Sequence, residues 1–373
     1  MLLTLLLSAS ALAALSNEPP PPDVQPAETI HSRLAGHLAG IPAKRAALGD
    51  TQHREGLVQT EVWLVDQLKS LGITPQTQEF VWASPALKAL LAPKDAPPAD
   101  AAPSVAQNGD RSKDEHQYTF RNYIVEFPGT DLASDVLILA AHYDAVPNSP
   151  GADDNASGVA ALLEVARTLR IQKHRRTIRL VFFTLEEVGL IGSMEYVKAH
   201  AANWKSTPAP EGSATDAKPT PAKERVIGMV SLDGIGYFSD DKGSQTSPVP
   251  KIGGKPVLGL DVPDVGNFLG IGGILKHRKF SQAFIAAMTA AVPDLPIVAA
   301  DSLPFAPPDF LRSDHAPFLA AGQPAIILTD TANFRNPHYH KPTDTPDTID
   351  LARLAKAATA LAAAASALAE TVK

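Results

Sequence analysis

Four short runs of this chain are almost continuously apolar rather than alternating: VLILAA (136–141), IRLVFFT (178–184), VIGMVSL (226–232) and AIILT (325–329). A strand that covers one face of a sheet alternates apolar with polar residues. A continuously apolar strand must be covered on both faces, as central strands of largely parallel sheets are. Helical periodicity fills the intervals, at GVAALLEVARTLR (158–170), FSQAFIAAMTAAV (280–292) and the Ala-rich stretch 350–371. An amphipathic pattern over 53–71, stopped by Gly72, predicts a further helix upstream. Strand–helix alternation predicts a three-layer α/β sandwich, with a central mixed, largely parallel β-sheet flanked by helices.

The residues directly behind each apolar run impose a second constraint. After the first run come His142 and Asp144, then Asp153 and Asp154 in the stretch HYDAVPNSPGADDNASG (142–158). Glu186 and Glu187 come after the second, Asp233 after the third, and His338 and His340 beyond the fourth. Sites in open α/β sheets form at the carboxyl ends of strands. Each motif alone would read as a solvated loop or a helix cap, with Asn155 or Ser157 capping the helix at 158. Four of them in order, each behind a buried strand, predict a metal site at that edge.

Converging carboxylates repel unless a cation neutralises them. Oxygen and imidazole donors without sulfur suit Zn²⁺ ahead of Mn²⁺ or Co²⁺. The acidic groups suffice for two ions, and Asp154, just before a helix on a Gly-bounded loop, is placed to bridge them. Successive side chains of the EE pair point in different directions, so one is expected to bind metal and the other to act as general base. Asp144 is expected to orient His142 rather than to bind metal. His31, His37, His53, His116, His174, His200 and His277 lack such a setting.

Composition narrows the chemistry further. The chain of 373 residues is 45% hydrophobic, ample for a large core, and contains no Cys. Thiolate zinc ligands, a catalytic thiol and disulfides are thereby excluded. A formal charge of −7, without any basic run, argues against a nucleic-acid partner. The opening MLLTLLLSASALAAL (1–15) is too short to span a bilayer with ease, and ALA at 11–13 fits a signal cleavage site, although no Lys or Arg precedes the apolar stretch. The expectation is an exported protein, periplasmic or extracellular, without a transmembrane segment in the mature chain. One catalytic domain is expected over 25–373, with loop insertions near 83–117 and 205–224 and a Gly/Pro-rich flap near 239–275.

Taken together, AAHYDAV, PGADDNASGVAALLEVAR, FFTLEEVGLIGS, SLDGIGY, RSDHAPFLAAGQPAI and HYHKPTDTPD resemble the co-catalytic two-zinc aminopeptidases of the bacterial leucyl-aminopeptidase and aminopeptidase Y type. Glutaminyl cyclases and transferrin-receptor-like proteins are relatives of that family. The stretches keep the family order and span 120–350. The resemblance implies that His142 and Asp233 hold one zinc, Glu187 and His340 the other, and that Asp154 bridges. It implies Glu186 as general base, Asp144 as the partner of His142, and Tyr339 as a group that polarises the substrate carbonyl. Lys341 stands where Thr or Ser is common, and Phe310 without a Cys precedes RSDH, where some members have a Tyr and a disulfide.

The reaction so implied is hydrolysis of the first peptide bond of substrates with a free N-terminus. Two other readings share parts of the pattern: a one-zinc glutaminyl cyclase, and a peptidase-like binding domain without activity. A serine hydrolase is excluded by the absence of G-x-S-x-G and by the side-by-side residues of SDH at 313–315. No motif marks the preferred N-terminal residue or the oligomeric state.

Overall fold

The four apolar runs are four adjacent parallel strands in the middle of an eight-stranded sheet. The computed structural model describes residues 29–85, 87, 118–204, 223–247, 251–252, 255–256 and 262–370. The expected signal segment, nearly all of the 83–117 insertion and 205–222 of the polar loop lie outside the described residues. The strands are β1 (Gln76–Val81), β2 (Thr119–Phe127), β3 (Leu132–His142), β4 (Arg176–Phe183), β5 (Arg225–Leu232), β6 (Leu269–Gly272), β7 (Ile297–Ala300) and β8 (Ala325–Thr329). Their order across the sheet is β1-β2-β4-β3-β5-β8-β6-β7. β4, β3, β5 and β8 run parallel, while β1, β2 and β6 introduce the antiparallel pairings that make the sheet mixed.

Among the described residues seven α-helices flank it: α1 (Ile30–Gly40), α2 (Thr51–Ser70), α3 (Gly158–Leu169), α4 (Ile191–His200), α5 (Arg278–Ala291), α6 (His315–Ala320) and α7 (Leu351–Leu368). The period-2 geometry of β3 explains its unbroken apolarity. Leu137, Leu139 and Ala141 enter the core under α1, α2, α3, α5 and α7. Val136, Ile138 and Ala140 enter the second core, where Tyr196, Trp204 and Phe318 pack behind the opposite face. Phe183 meets Tyr196 edge-on at 5.6 Å, and Trp204 stacks on Phe318 at 5.6 Å.

Local chemistry sets the helix ends. Asp50 caps α2 through the His53 N–H, and Gly72 leaves it at φ 74°. Asp350 caps α7 through the Arg353 N–H. By length and composition α7 could cross a membrane, yet half of it is buried here against α3 and α5. Its small Ala357, Ala358, Ala360, Ala364 and Ala365 let the helices approach closely.

Part of the expected 239–275 flap proves to be sheet. β6 lies inside it, hydrogen-bonded between β8 and β7. Its alternation is Leu-Gly-Ile-Gly, in which Leu269 and Ile271 fill the core while the glycines dilute the apolar signal. β1, β2, β7, α1 and α4 were not among the expected elements either. β1, for instance, is mostly polar and half-exposed, as an edge strand is.

One buried carboxylate helps to dock α1, beside Leu34 and Leu38 in the core. Glu164, buried on α3, accepts from the Arg33 guanidinium at 2.6 and 3.0 Å and from Arg167 at 3.2 Å, with His37 at 3.6 Å. Burial alone would raise its pKa, but His37 and Arg33 outweigh burial and lower it from 4.5 to about 2. A depressed carboxylate stabilises the fold above its unfolded pKa, and that contribution disappears as pH falls through the folded one. Glu164→Gln is therefore expected to destabilise the protein by about 2 kcal/mol at pH 7. The difference from wild type should shrink between pH 4.5 and about 2. Denaturant melts across that range check it, and a pH-independent difference would count against the ion pair as the cause.

Candidate metal centre

In chain order the sheet runs from β3 outward to β4, then crosses to β5 on the other side of β3. Such a reversal opens a crevice at the carboxyl ends of the two strands. His142 ends β3 and Asp233 directly follows β5, so the two flank the crevice. Glu186 and Glu187 follow β4, Asp154 lies on the loop entering α3, and His340 arrives on the long loop after β8. Leu185, Leu190 and His340, all non-glycine residues of these loops, adopt φ of 57°, 61° and 58°. Left-handed backbone at such residues is uncommon and clusters at functional sites.

Asp154 sits at the centre. Its Oδ1 is 3.2 Å from His142 Nε2, and its Oδ2 is 3.0 Å from His340 Nε2. Around His142 Nε2 stand Asp233 Oδ1 at 3.6 Å and Glu186 Oε2 at 4.0 Å. Glu187 Oε2 is 3.2 Å from His340 Nε2. All six groups that the sequence singled out as ligands or base thus converge. Two triplets, His142/Glu186/Asp233 and His142/Asp154/Glu187, each bring ligand atoms within 4.8 Å of one another. Asp153 turns away from this cluster: its Oδ1 accepts from the Gly236 N–H at 2.8 Å and its Oδ2 from Asn336 at 2.7 Å.

Two further carboxylates hold the loops in place. Asp144 accepts the backbone N–H of Glu186 at 3.1 Å through Oδ1 and that of Glu187 at 3.3 Å through Oδ2. Its carboxylate is 3.6 Å from His142 Nδ1, which lies nearer the Asp144 carbonyl oxygen at 3.2 Å. Asp144 therefore aims the EE pair as much as it orients the imidazole. Asp344 plays the matching part opposite, accepting the N–H of Asp153 at 2.9 Å and of Asp154 at 3.3 Å. Arg45 is fully buried beneath the same loop. Its guanidinium donates to the carbonyls of Tyr143, Pro42, Pro150 and Gly151. Sequence reasoning named neither Asp344 nor Arg45. Asp344 lies within HYHKPTDTPD, where a signal existed; Arg45 sits in IPAKRAA, where none did.

Electrostatics show a cluster seeking positive charge. Burial disfavours a charged His142, but Glu186, Asp144, Asp154 and Asp233 outweigh it and push its pKa up. His340 rises to about 10, as the adjacent Asp154 and Glu187 carboxylates overcome burial. Burial would raise Asp154, yet His142 and His340 hold its pKa below the usual range. Burial pushes Glu186 well up, reinforced by Asp233, Glu187 and Asp314 and opposed by His142. Glu187 rises to about 7, chiefly by burial and Asp154.

The Nε2 atoms of His142 and His340 and Oε1 of Glu187 are buried without a hydrogen-bond partner. An unmet buried polar atom costs about 1–3 kcal/mol. Two imidazoles among carboxylates, with unmet nitrogens turned to the same space, fit divalent cations that take N and O ligands. Tyr339 closes the edge. Its ring stacks on His340 at 3.8 Å, and its Oη accepts from Arg312 at 2.9 Å. Burial and the nearby carboxylates push its pKa up, so the phenol keeps its proton.

Fold and site together define an α/β scaffold with a candidate metal centre at the carboxyl ends of its strands, and comparison with known proteins gives its family. The sequence profile of peptidase family M28 matches residues 122–248 and 278–365, and the chain belongs to that family. The uncharacterized protein YfbL of Escherichia coli (strain K12) is 32% identical over 247 residues, covering 64% of this chain and 68% of that one. The probable lipoprotein aminopeptidase LpqL of Mycobacterium tuberculosis is 31% identical over 252 residues, covering 63% of this chain. The match takes in only 42% of LpqL's own length. Among solved structures, BSAP, a zinc aminopeptidase from Bacillus subtilis, shares the fold with a TM-score of 0.59 at 16% identity, over 91% of this chain and 95% of that one.

Removing the Asp344 carboxylate tests the loop-holding role. Asp344→Ala should leave far-UV circular dichroism unchanged and weaken zinc binding about 10–100-fold. Competition against a chelator of known affinity reads this out, and wild-type zinc affinity would refute it.

Proposed function

We propose that the protein is an exported aminopeptidase that holds two zinc ions and cleaves the N-terminal peptide bond of peptides. The observation that carries the reading is the placement of the Asp154 oxygens, one against His142 and one against His340. A carboxylate so placed has one oxygen for each of two cations. His142 and Asp233 would complete one zinc site, and Glu187 and His340 the other. When bound, zinc supplies Lewis acidity, which acidifies a water molecule and polarises the scissile carbonyl.

The protein's own residues do the rest. Glu186 takes the proton from the attacking water and returns it to the leaving amine. Its carboxylate stands 4.0 Å from His142 Nε2, beside the space the ligands enclose, where it can reach that water. Asp144 holds the Glu186 backbone, which keeps the carboxylate aimed. Arg312 occupies an acceptor position of the Tyr339 phenol, leaving its O–H free to donate to the oxyanion. The apolar opening of the chain, and a relative described as a lipoprotein aminopeptidase, support export.

The EE pair provides the test. Glu186→Gln keeps shape but loses basicity, so the rate should fall by about 10²–10⁴ while zinc content stays normal. Glu187→Gln should lose one zinc, with activity partly restored by excess metal. Release of the N-terminal residue is the expected product. Glu186→Gln losing zinc while Glu187→Gln keeps both ions would reverse the roles. Conversion of N-terminal glutaminyl peptides to pyroglutamyl peptides, without cleavage, would overturn the aminopeptidase reading.

A further inference from the structure

The loop that follows Asp233 is held through its backbone. Four successive N–H groups each donate to a side-chain oxygen: Gly234 to Asn155 at 3.3 Å, Ile235 to Ser157 at 3.0 Å, Gly236 to Asp153 at 2.8 Å and Tyr237 to Asp330 at 2.9 Å. Three of these acceptors belong to the stretch DDNAS (153–157), which also carries Asp154. Ser157, expected as a cap of α3, makes no cap bond and donates instead to the Asp153 carbonyl at 2.7 Å. The Asp154 and Asp233 loops are thus joined by several independent bonds, and β3 and β5 fix His142 and Asp233 from behind.

His340 has less support. Its loop contains no strand or α-helix between Asp330 and Thr345. Its side chain is 33% exposed, against 1% for His142, so packing holds it less firmly. Among the described residues from Ala332 to Thr343, only Asn336 and His340 itself reach the Asp154 loop with a side-chain hydrogen bond or ion pair. Asn336 is buried with its polar groups engaged. Its backbone N–H donates to the Ala332 carbonyl at 2.7 Å, and its carbonyl accepts from Tyr339 at 3.3 Å. Its Nδ2 donates to Asp153 Oδ2 at 2.7 Å, and its Oδ1 accepts the His338 N–H at 2.8 Å. These partners fix the amide's orientation. Turned over, it would set donor against donor at His338 and acceptor against acceptor at Asp153.

We propose that Asn336 is a positioning residue for the zinc that His340 helps to hold: by tying the turn before His340 to Asp153, it sets His340 against the second oxygen of Asp154. The inference rests on the two-zinc reading for the identity of the ion. Asn336→Ala removes both side-chain bonds. Asn336→Asp keeps the volume and the acceptor for His338, but sets a second carboxylate against Asp153 in a buried place, where like charges repel. Exchanging the two residues, Asp153→Asn together with Asn336→Asp, restores the contact with its polarity reversed and the net charge unchanged. Gly236 and His338 then keep their acceptors.

Zinc titration of the metal-free protein, in competition with a chelator of known affinity, tests the role. Wild type should take up two ions. Asn336→Ala and Asn336→Asp should each weaken one of them about 10–100-fold and the other less than about threefold. Anomalous maps of the variants at limiting zinc should show the weakened ion beside Glu187 and His340. The exchanged pair should bind that ion more tightly than Asn336→Asp alone. A merely loosened fold would weaken both ions alike. Equal weakening of both, weakening of neither, or an exchanged pair no better than Asn336→Asp would overturn the inference and leave the two-zinc reading standing. Crystals of metal-free wild type and Asn336→Ala test the link apart from that reading. In the variant His340 Nε2 should move from its place 3.0 Å from Asp154 Oδ2 by about 1 Å or more, while His142 Nε2 keeps its 3.2 Å. Asn336→Asp serves if the alanine variant does not fold. That movement supports the positioning role even if wild type binds a single zinc, and an unmoved His340 overturns it.

Discussion

The structure turns on one carboxylate placed between two imidazoles. Asp154 lies 3.2 Å from the Nε2 of His142 and 3.0 Å from that of His340. Those histidines come from distant parts of the chain, one at the end of β3 and one on the loop after β8. Around them Glu186, Glu187 and Asp233 bring further negative charge into a buried space. Such a cluster is unfavourable on its own, because like charges repel more strongly where water is excluded. Positive charge at that point, from the two imidazoles or from bound cations, offsets the repulsion.

The fold holds the loops that carry Glu186, Glu187 and Asp154 with backbone hydrogen bonds. Asp144 grips the EE pair and Asp344 grips the loop that carries Asp154, each through two successive N–H groups. Arg45 ties the carbonyls of Tyr143, Pro150 and Gly151 together from beneath. Arg45 lies outside the residues matched by the family profile, so the N-terminal helical layer contributes to the site's geometry as well as to the core. The sheet's reversal between β3 and β5 provides the crevice in which these loops meet.

The parts of this architecture that were legible in the sequence share a physical cause. The central strands are buried on both faces, so their runs are almost wholly apolar, and their carboxyl ends carry conspicuous His, Asp and Glu residues. Elements at the margins were not legible. β1 is half-exposed and polar, and β6 spends two of its four residues on glycine. Those glycines read as a flexible flap in one dimension, and in three they are part of a strand hydrogen-bonded between β8 and β7. Arg45 could not be found from sequence, since its partners are backbone carbonyls, and these leave no trace in residue types. Asp144 was legible as a partner of His142, but its grip on the Glu186 and Glu187 amides depends on the packing of β3 beside β4.

All of the proposed chemistry requires Asp154 to have one cation on each oxygen. Anomalous diffraction at the zinc absorption edge, from crystals of protein loaded with zinc, decides this. The expected map has two peaks roughly 3.5–4 Å apart, one beside His142 and Asp233 and the other beside Glu187 and His340, with Asp154 between them. A single peak at full occupancy, with Asp154 touching it through one oxygen only, would contradict the two-cation arrangement.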